Sequence, residues 1–209
     1  ALRHKKNSSM RRILDLVNNN QADACVSCGN TGALLGMAYH VLKTLPGIDR
    51  PALISLVPTM NNGKVYFLDL GANINCDSEV LFQYAVMGSV LAEQIANIKQ
   101  PKVALLNVGA EEIKGNVQVK LAAKLLMDSQ NINYIGFVEG NDIFSEKADV
   151  IVTDGFTGNI ALKSWEGLVK FAITEVKNVS QHNWLSKIVT KIATPLLRNI
   201  YLRMNPDQY

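Results

Sequence analysis

The sequence predicts an α/β fold: a mixed, mostly parallel sheet with helices on both faces, followed by a C-terminal helical arm. Three observations carry this. Short apolar runs alternate with longer stretches whose apolar residues recur every three or four positions, the pattern of strands alternating with helices. Two of the runs flank Asn61-Asn62-Gly63, a good hairpin turn, so one strand pair is antiparallel. The 209 residues are 48% hydrophobic and 19% charged, enough to bury a substantial core and too apolar for disorder.

The elements follow in order. Ser9 to Asn20 reads as a helix with Ile13, Leu14, Leu16 and Val17 on its apolar side. Ala22 to Ser27 reads as a strand and Thr31 to Leu45 as a helix. Ala52 to Val57 and Lys64 to Leu70 are the strands of the hairpin. Ser78 to Ile98 is a helix in which Val80, Tyr84, Met87, Leu91, Ile95 and Ile98 share one face. Lys102 to Asn107 is a strand, Asn116 to Ser129 a helix, and Asn133 to Val138 and Asp149 to Thr153 are strands. Gly158 to Asn178 is a helix. Asn183 to Met204 is helical, and Pro195, which lacks an N–H, is expected to split it into two short helices. The expected division is a core over 1–178 and an arm over 179–205. Ala1 is not a start methionine and Leu2 to Lys6 reads as mid-protein sequence, so the chain is expected to be a fragment.

Composition narrows the function. The net charge of +3 permits anionic ligands, but no basic stripe interleaved with aromatics argues for nucleic acid. No apolar run is long enough to span a bilayer, and no signal peptide opens the chain. Three cysteines are an odd, sparse set, which fits a reducing cytosol better than a disulfide framework. Cys25-x-x-Cys28 lacks the second pair a zinc site needs, and His4, His40 and His182 show no ligand spacing. No metal site is expected. No Gly-x-Ser-x-Gly elbow supports a serine hydrolase.

The chemistry-bearing segments share one pattern: a strand ends, a small polar loop with glycine follows, and a helix begins. Open α/β sheets bind ligands at strand carboxyl ends, where helix amino termini offer unpaired N–H groups to an anion. In Ser27-Cys28-Gly29-Asn30-Thr31-Gly32 the glycines permit close approach and Ser27, Asn30 and Thr31 add side-chain groups. The same residues also fit an ordinary helix cap at Asn30 or Thr31. Asp69-Leu70-Gly71-Ala72-Asn73 closes an apolar strand with a half-buried carboxylate, or is simply a tight turn. Asn107 to Asn116 packs Glu111, Glu112 and Lys114 beside glycines. That is either a charge-stabilising loop or a solvated, self-paired one. Asp154-Gly155-Phe156-Thr157-Gly158-Asn159 opens a helix, with Lys163 one turn beyond Asn159 on the same face.

Taken in collinear order, these loops resemble the bacterial acyl-(acyl carrier protein):phosphate acyltransferases. The likeness also takes in Lys5-Lys6-Asn7-Ser8-Ser9-Met10, Gly47-Ile48-Asp49-Arg50-Pro51-Ala52 and Met87-Gly88-Ser89-Val90. The resemblance implies a homodimer with a fold akin to isocitrate and isopropylmalate dehydrogenases. It implies transfer of an acyl group from acylated acyl carrier protein to inorganic phosphate, with no cofactor. Phosphate is itself the nucleophile, so the protein must hold it, orient the thioester and stabilise the oxyanion. On that reading Lys114 stabilises charge, Asn159 is a neutral donor, and Asp154 and Glu112 orient them. Ser27, Gly29, Asn30, Thr31, Gly32, Asn73, Gly158 and Lys163 are the expected phosphate- or substrate-binding set. Family members carry Ala where this chain has Cys28, so an acyl-cysteine intermediate is not expected.

Two other readings are on the table. The implied fold alone would also accommodate a metal- and NAD-dependent decarboxylating dehydrogenase. The final segment would suit a non-catalytic membrane-surface scaffold. It has no acid between Glu175 and Asp207, an apolar face of Trp184, Leu185, Ile188, Val189, Ile192 and Leu196, and Lys187, Lys191, Arg198 and Arg203 around it. Membrane-surface contact through 183–204 is also compatible with a cytoplasmic enzyme, and the same face would equally suit a helical hairpin packed in a dimer.

Overall fold

The computed structural model describes residues 7–181 and 184–205, without the side chains of 181–187. His4, Lys5, Lys6 and His182, and the side chains of Trp184, Leu185 and Lys187, therefore lie outside the described residues. Two helices come first, α1 (Ser9–Asn18) and α2 (Thr31–Leu42). The α/β body follows: β1 (Ile54–Pro58), β2 (Lys64–Leu68), α3 (Ser78–Ala96), β3 (Lys102–Leu106), α4 (Val117–Asp128), β4 (Asn133–Val138) and β5 (Val150–Val152). Two long helices close it, α5 (Gly155–Gln181) and α6 (Trp184–Met204).

The five-stranded sheet runs β1-β2-β5-β3-β4. β1 and β2 are antiparallel and every other pairing is parallel. Strand alternation builds a core on each face. Tyr66, Leu68, Val103, Leu105, Val150 and Val152 pack on α3 and α4 through Leu81, Tyr84, Ala122 and Leu126. Val65, Phe67, Ala104, Leu106 and Ile151 pack on α5 through Trp165 and Val169. Helices thus cover both faces, as a nearly continuous apolar run in each central strand requires. The hairpin forms where expected: Asn62 takes the positive φ of 69° and Thr59 N donates to Gly63 O at 3.0 Å.

Four expectations are corrected. Ala22 to Ser27 forms no strand, and Val26 is 88% exposed, so its apolar residues find no sheet to join. The helix expected from Gly158 starts at Gly155, because Asp154 caps it: Thr157 N donates to Asp154 Oδ1 at 2.8 Å and Thr157 Oγ1 to Oδ2 at 2.9 Å. Pro195 does not split α6. One missing N–H removes a single rung, and the turns on either side of it hold the 21-residue helix together. Ile95, expected on the buried face of α3, is exposed near the helix end, while Val80 and Tyr84 are buried as expected. Residues 178 and 179 both lie within α5.

Candidate functional site

Asp69 directly follows β2 at the carboxyl edge of the sheet and is fully buried. Its carboxylate accepts from the backbone N–H groups of Leu53, Gly71, Ala72 and Asn73 at 2.8–3.2 Å, and from Asn73 Nδ2 at 3.2 Å. Burial of this polar group is tolerated because hydrogen-bond donors surround it. Asn73 Nδ2 also reaches Pro51 O at 2.7 Å and the Tyr84 hydroxyl at 2.6 Å. Gly155 N donates to Asn73 O at 2.8 Å, which ties this turn to the start of α5. Gly158 lets α5 press onto the same turn: a Cβ there would overlap the Asp69 carbonyl oxygen. Burial pushes the Cys76 thiol and the Tyr84 phenol beside this turn above their usual ranges, so both stay neutral.

Two cavities flank the first turns of α5. One, of about 770 Å³, is lined by Thr31, Gly32, Leu35 and Tyr39 of α2, by Arg50, Leu53, Leu70 and Gly71, and by Asn73, Asn159, Leu162 and Lys163. Five expected residues meet here: Thr31, Gly32, Asn73, Asn159 and Lys163. Thr31 and Gly32 lie in the first turn of α2, whose N–H groups have no carbonyl partner inside the helix. The second cavity, of about 550 Å³, is lined by Asn107, Gly115, Asn116, Gly140, Thr153, Asp154, Thr157 and Ile160. It sits where β3, β4 and β5 end and α4 and α5 begin, the usual ligand edge of such a sheet.

Several expected donors are already occupied. Gly158 N donates to Asp154 O at 2.9 Å as part of the helix, so its N–H does not face a ligand. Asn30 is the cap of α2 and accepts from Ala33 N at 2.9 Å, as the ordinary-cap alternative has it. Gly29 N donates to Ser27 Oγ at 3.2 Å, within an exposed loop that lines neither cavity. The Asn73 amide nitrogen is spent on the Asp69 turn, although the residue borders the larger cavity. Lys163 Nζ is held by both Glu166 oxygens at 2.8 and 2.9 Å.

Lys114 stands on the loop between β3 and α4; its neighbour Gly115 lines the smaller cavity, and Lys114 itself lines neither. Its ammonium pairs with Glu111 at 2.9 Å, and that contact holds Lys114 above and Glu111 below their usual ranges. Lys114 is therefore fully cationic at neutral pH. Glu112 turns away from both cavities and lines a third groove, of about 580 Å³, between α4 and β4. Cys25 is half-buried and Cys28 exposed, neither is in a disulfide, and no cluster of metal-ligand side chains occurs among the described residues.

Arg50 is the cationic residue of the larger cavity absent from the expected set. It appears in the sequence only as a cation before Pro51. What brings it to α2 and Asn159 is the path of the loop ahead of β1, which the sequence does not disclose.

A family model described as "Fatty acid synthesis protein" matches residues 1–209. A phosphate acyltransferase of Pseudoalteromonas atlantica is 64% identical over all of this chain, and one of Moritella marina is 56% identical. The chain spans 61% and 62% of the length of these relatives. Among solved structures, a phosphotransacetylase from Streptococcus pyogenes superposes with a TM-score of 0.57 at 24% identity, over 74% of this chain and 53% of its own. The EutD phosphotransacetylase from Staphylococcus aureus gives 0.56 at 22% identity, over 74% and 54%.

Proposed function

The chain belongs to the fatty acid synthesis protein family, and from that premise we propose that the whole protein transfers an acyl group from acyl-(acyl carrier protein) to inorganic phosphate. The product is an acyl phosphate for phospholipid synthesis. The observation that carries the reading is the larger cavity. It joins first-turn N–H groups of α2 and two cationic side chains to a wall of Leu35, Tyr39, Leu53 and Leu162. An anion and the start of an acyl chain can share such a site.

In the proposed reaction a phosphate oxygen bonds to the thioester carbonyl carbon, giving a tetrahedral oxyanion. The C–S bond then breaks, and the carrier thiolate leaves and takes a proton from water. Asn159 supplies a neutral donor from the larger cavity, and Lys114, which lines neither cavity, is assigned charge stabilisation on the family resemblance and its loop position alone. Asp154 orients the start of α5 by capping it, and Glu112 acts only through the loop it shares with Lys114. Cys28 takes no covalent part. The kinship with isocitrate and isopropylmalate dehydrogenases belongs to the proposal as a likeness of fold alone.

The direct test is phosphate-dependent release of free carrier protein from an acylated carrier by the intact protein. Release should need inorganic phosphate and persist in chelator. Loss of turnover in chelator, restored by one divalent ion, would show that the chemistry is metal-assisted.

The helical arm supports a second part of the proposal. α6 returns along α5, and Arg203 Nη2 donates to Thr59 O at 2.7 Å and Met60 O at 3.0 Å on the hairpin turn. Phe171, Val179, Val189, Ile192 and Leu196 stay exposed along the pair. We propose that a second copy covers part of this face, giving a homodimer. We propose too that the cytoplasmic protein touches membrane surfaces reversibly through 183–204. No described helix is long and apolar enough to cross a membrane. Because Arg203 is engaged, the basic residues of α6 with described side chains left to meet anionic lipid are Lys191 and Arg198, each worth roughly 1 kcal/mol near the surface. Replacing Trp184, Leu185 and Ile188 with asparagine should release the protein from anionic vesicles and spare activity on soluble substrate. Dissociation of a dimer by the same substitutions would identify the face as packing instead.

A further inference from the structure

We infer that Arg50 binds a phosphoryl group in the larger cavity, an inference that rests on the acyl-transfer reading. The cavity holds two cations, Arg50 and Lys163. Lys163 is neutralised by Glu166, which grips its ammonium with both oxygens. Among the described residues Arg50 has no carboxylate partner, and its hydrogen bond there is a long one, Nη1 to Asn75 O at 3.5 Å, with the side chain exposed. The neighbouring acid, Asp49, is bound instead to Gln83: its backbone N–H donates to Gln83 Oε1 at 2.8 Å, and its Oδ2 accepts from Gln83 Nε2 at 2.7 Å.

A guanidinium left unpaired in a concave site is matched by an oxyanion with two acceptors, and phosphate meets that geometry bidentately. Three further features of the cavity fit the same ligand. The first-turn N–H groups at Thr31 and Gly32 carry the positive end of the α2 dipole. Asn159 lies across the cavity, its side chain against Gly71. Pro51 follows Arg50 directly and restrains the backbone that presents it. The apolar wall of Leu35, Leu53 and Leu162 makes the site suited to a phosphoryl group that carries, or is about to carry, an acyl chain. Two sources share this chemistry: inorganic phosphate, and the phosphodiester of the carrier's pantetheine arm.

The test uses the intact protein and the variants Arg50→Ala and Arg50→Lys. Arg50 is exposed and bonded to one carbonyl, so both variants should fold, and unchanged melting temperatures check that. Steady-state rates are measured against inorganic phosphate, then against an acylated carrier and a simple acyl thioester without a phosphate. Arg50→Ala should raise one KM about tenfold to a hundredfold with kcat changed less than about threefold. Arg50→Lys should recover only part of the loss. A rise confined to inorganic phosphate names the attacking substrate as the ligand, and a rise confined to the carrier names the pantetheine phosphodiester. Calorimetric titration with phosphate alone and with phosphopantetheine alone separates this inference from the acyl-transfer reading. If the wild-type protein binds either ligand and Arg50→Ala binds it more weakly, Arg50 stands even where no acyl transfer is found. KM values within twofold of wild type together with undiminished binding, or a wild-type protein that binds neither ligand, would overturn the assignment.

Discussion

Lys114→Ala is expected to lower turnover about 100-fold or more, the usual loss when one stabiliser of a developing oxyanion is removed. The melting temperature should stay within about 2 °C of wild type. The reason lies in how the loop is held. Its shape rests on main-chain bonds: Lys114 N donates to Glu111 O at 3.0 Å, and Asn107 Nδ2 donates to Gly109 O and Lys114 O at 3.1 and 3.2 Å. The Lys114 side chain contributes only the Glu111 pair, which is half exposed and of little worth to stability. Its stem lies over Gly109, and no core residue depends on it. Single-turnover measurements with saturating phosphate separate chemistry from binding. A variant of near-normal turnover would remove Lys114 from the site.

Asp69→Ala should have the opposite profile, a large loss of folding stability. It strips one acceptor group from four backbone N–H groups and one side-chain amide in a buried turn. Each stranded buried donor costs about 1–3 kcal/mol. The total should reach at least about 4 kcal/mol, a large share of the roughly 5–15 kcal/mol that holds a typical domain. Asp69→Asn should fall between the two, since it keeps one acceptor oxygen but sets an NH₂ against the donors of Asn73. Denaturant midpoints read this directly. A midpoint unchanged in Asp69→Ala would mean that water replaces the carboxylate and that the turn is held by other contacts.

The sheet and its helices were legible because their residues obey local rules. The apolar runs at 103–106 and 150–152 are buried on both faces, and Asn116 caps α4 by accepting from Val119 N at 2.9 Å. Asn62 takes the positive φ that the hairpin demands. Failures occur where the outcome depends on a distant partner. Ala22 to Ser27 has strand composition, but a strand needs a neighbour, and composition cannot supply one. The start of α5 turned on whether Asp154 would bond Thr157 or a ligand. At the site, sequence order pointed to Thr31, Gly32, Asn73, Asn159 and Lys163, which do meet in one cavity. Order could not reveal that Lys163 is satisfied by Glu166 and Arg50 is not. Nor could it show that Glu112, two residues from Lys114, faces another groove. Asp69 was expected to be half-buried. It is wholly enclosed because Leu53 and α5 close over it from segments far apart in the chain.

The two contacts at the feet of the helical hairpin set its freedom of motion. α5 is seated by Asp154 and by Gly158 pressed on the Asp69 carbonyl, and α6 is tied back by Arg203 to the turn at Thr59 and Met60. A rod fixed at one foot can swivel about its own axis. A pair fixed at both feet cannot, any more than a gate hung on two hinges can spin. The azimuth of the apolar flank is therefore locked to the body, and whatever binds that flank also sets which way the mouth of the larger cavity points.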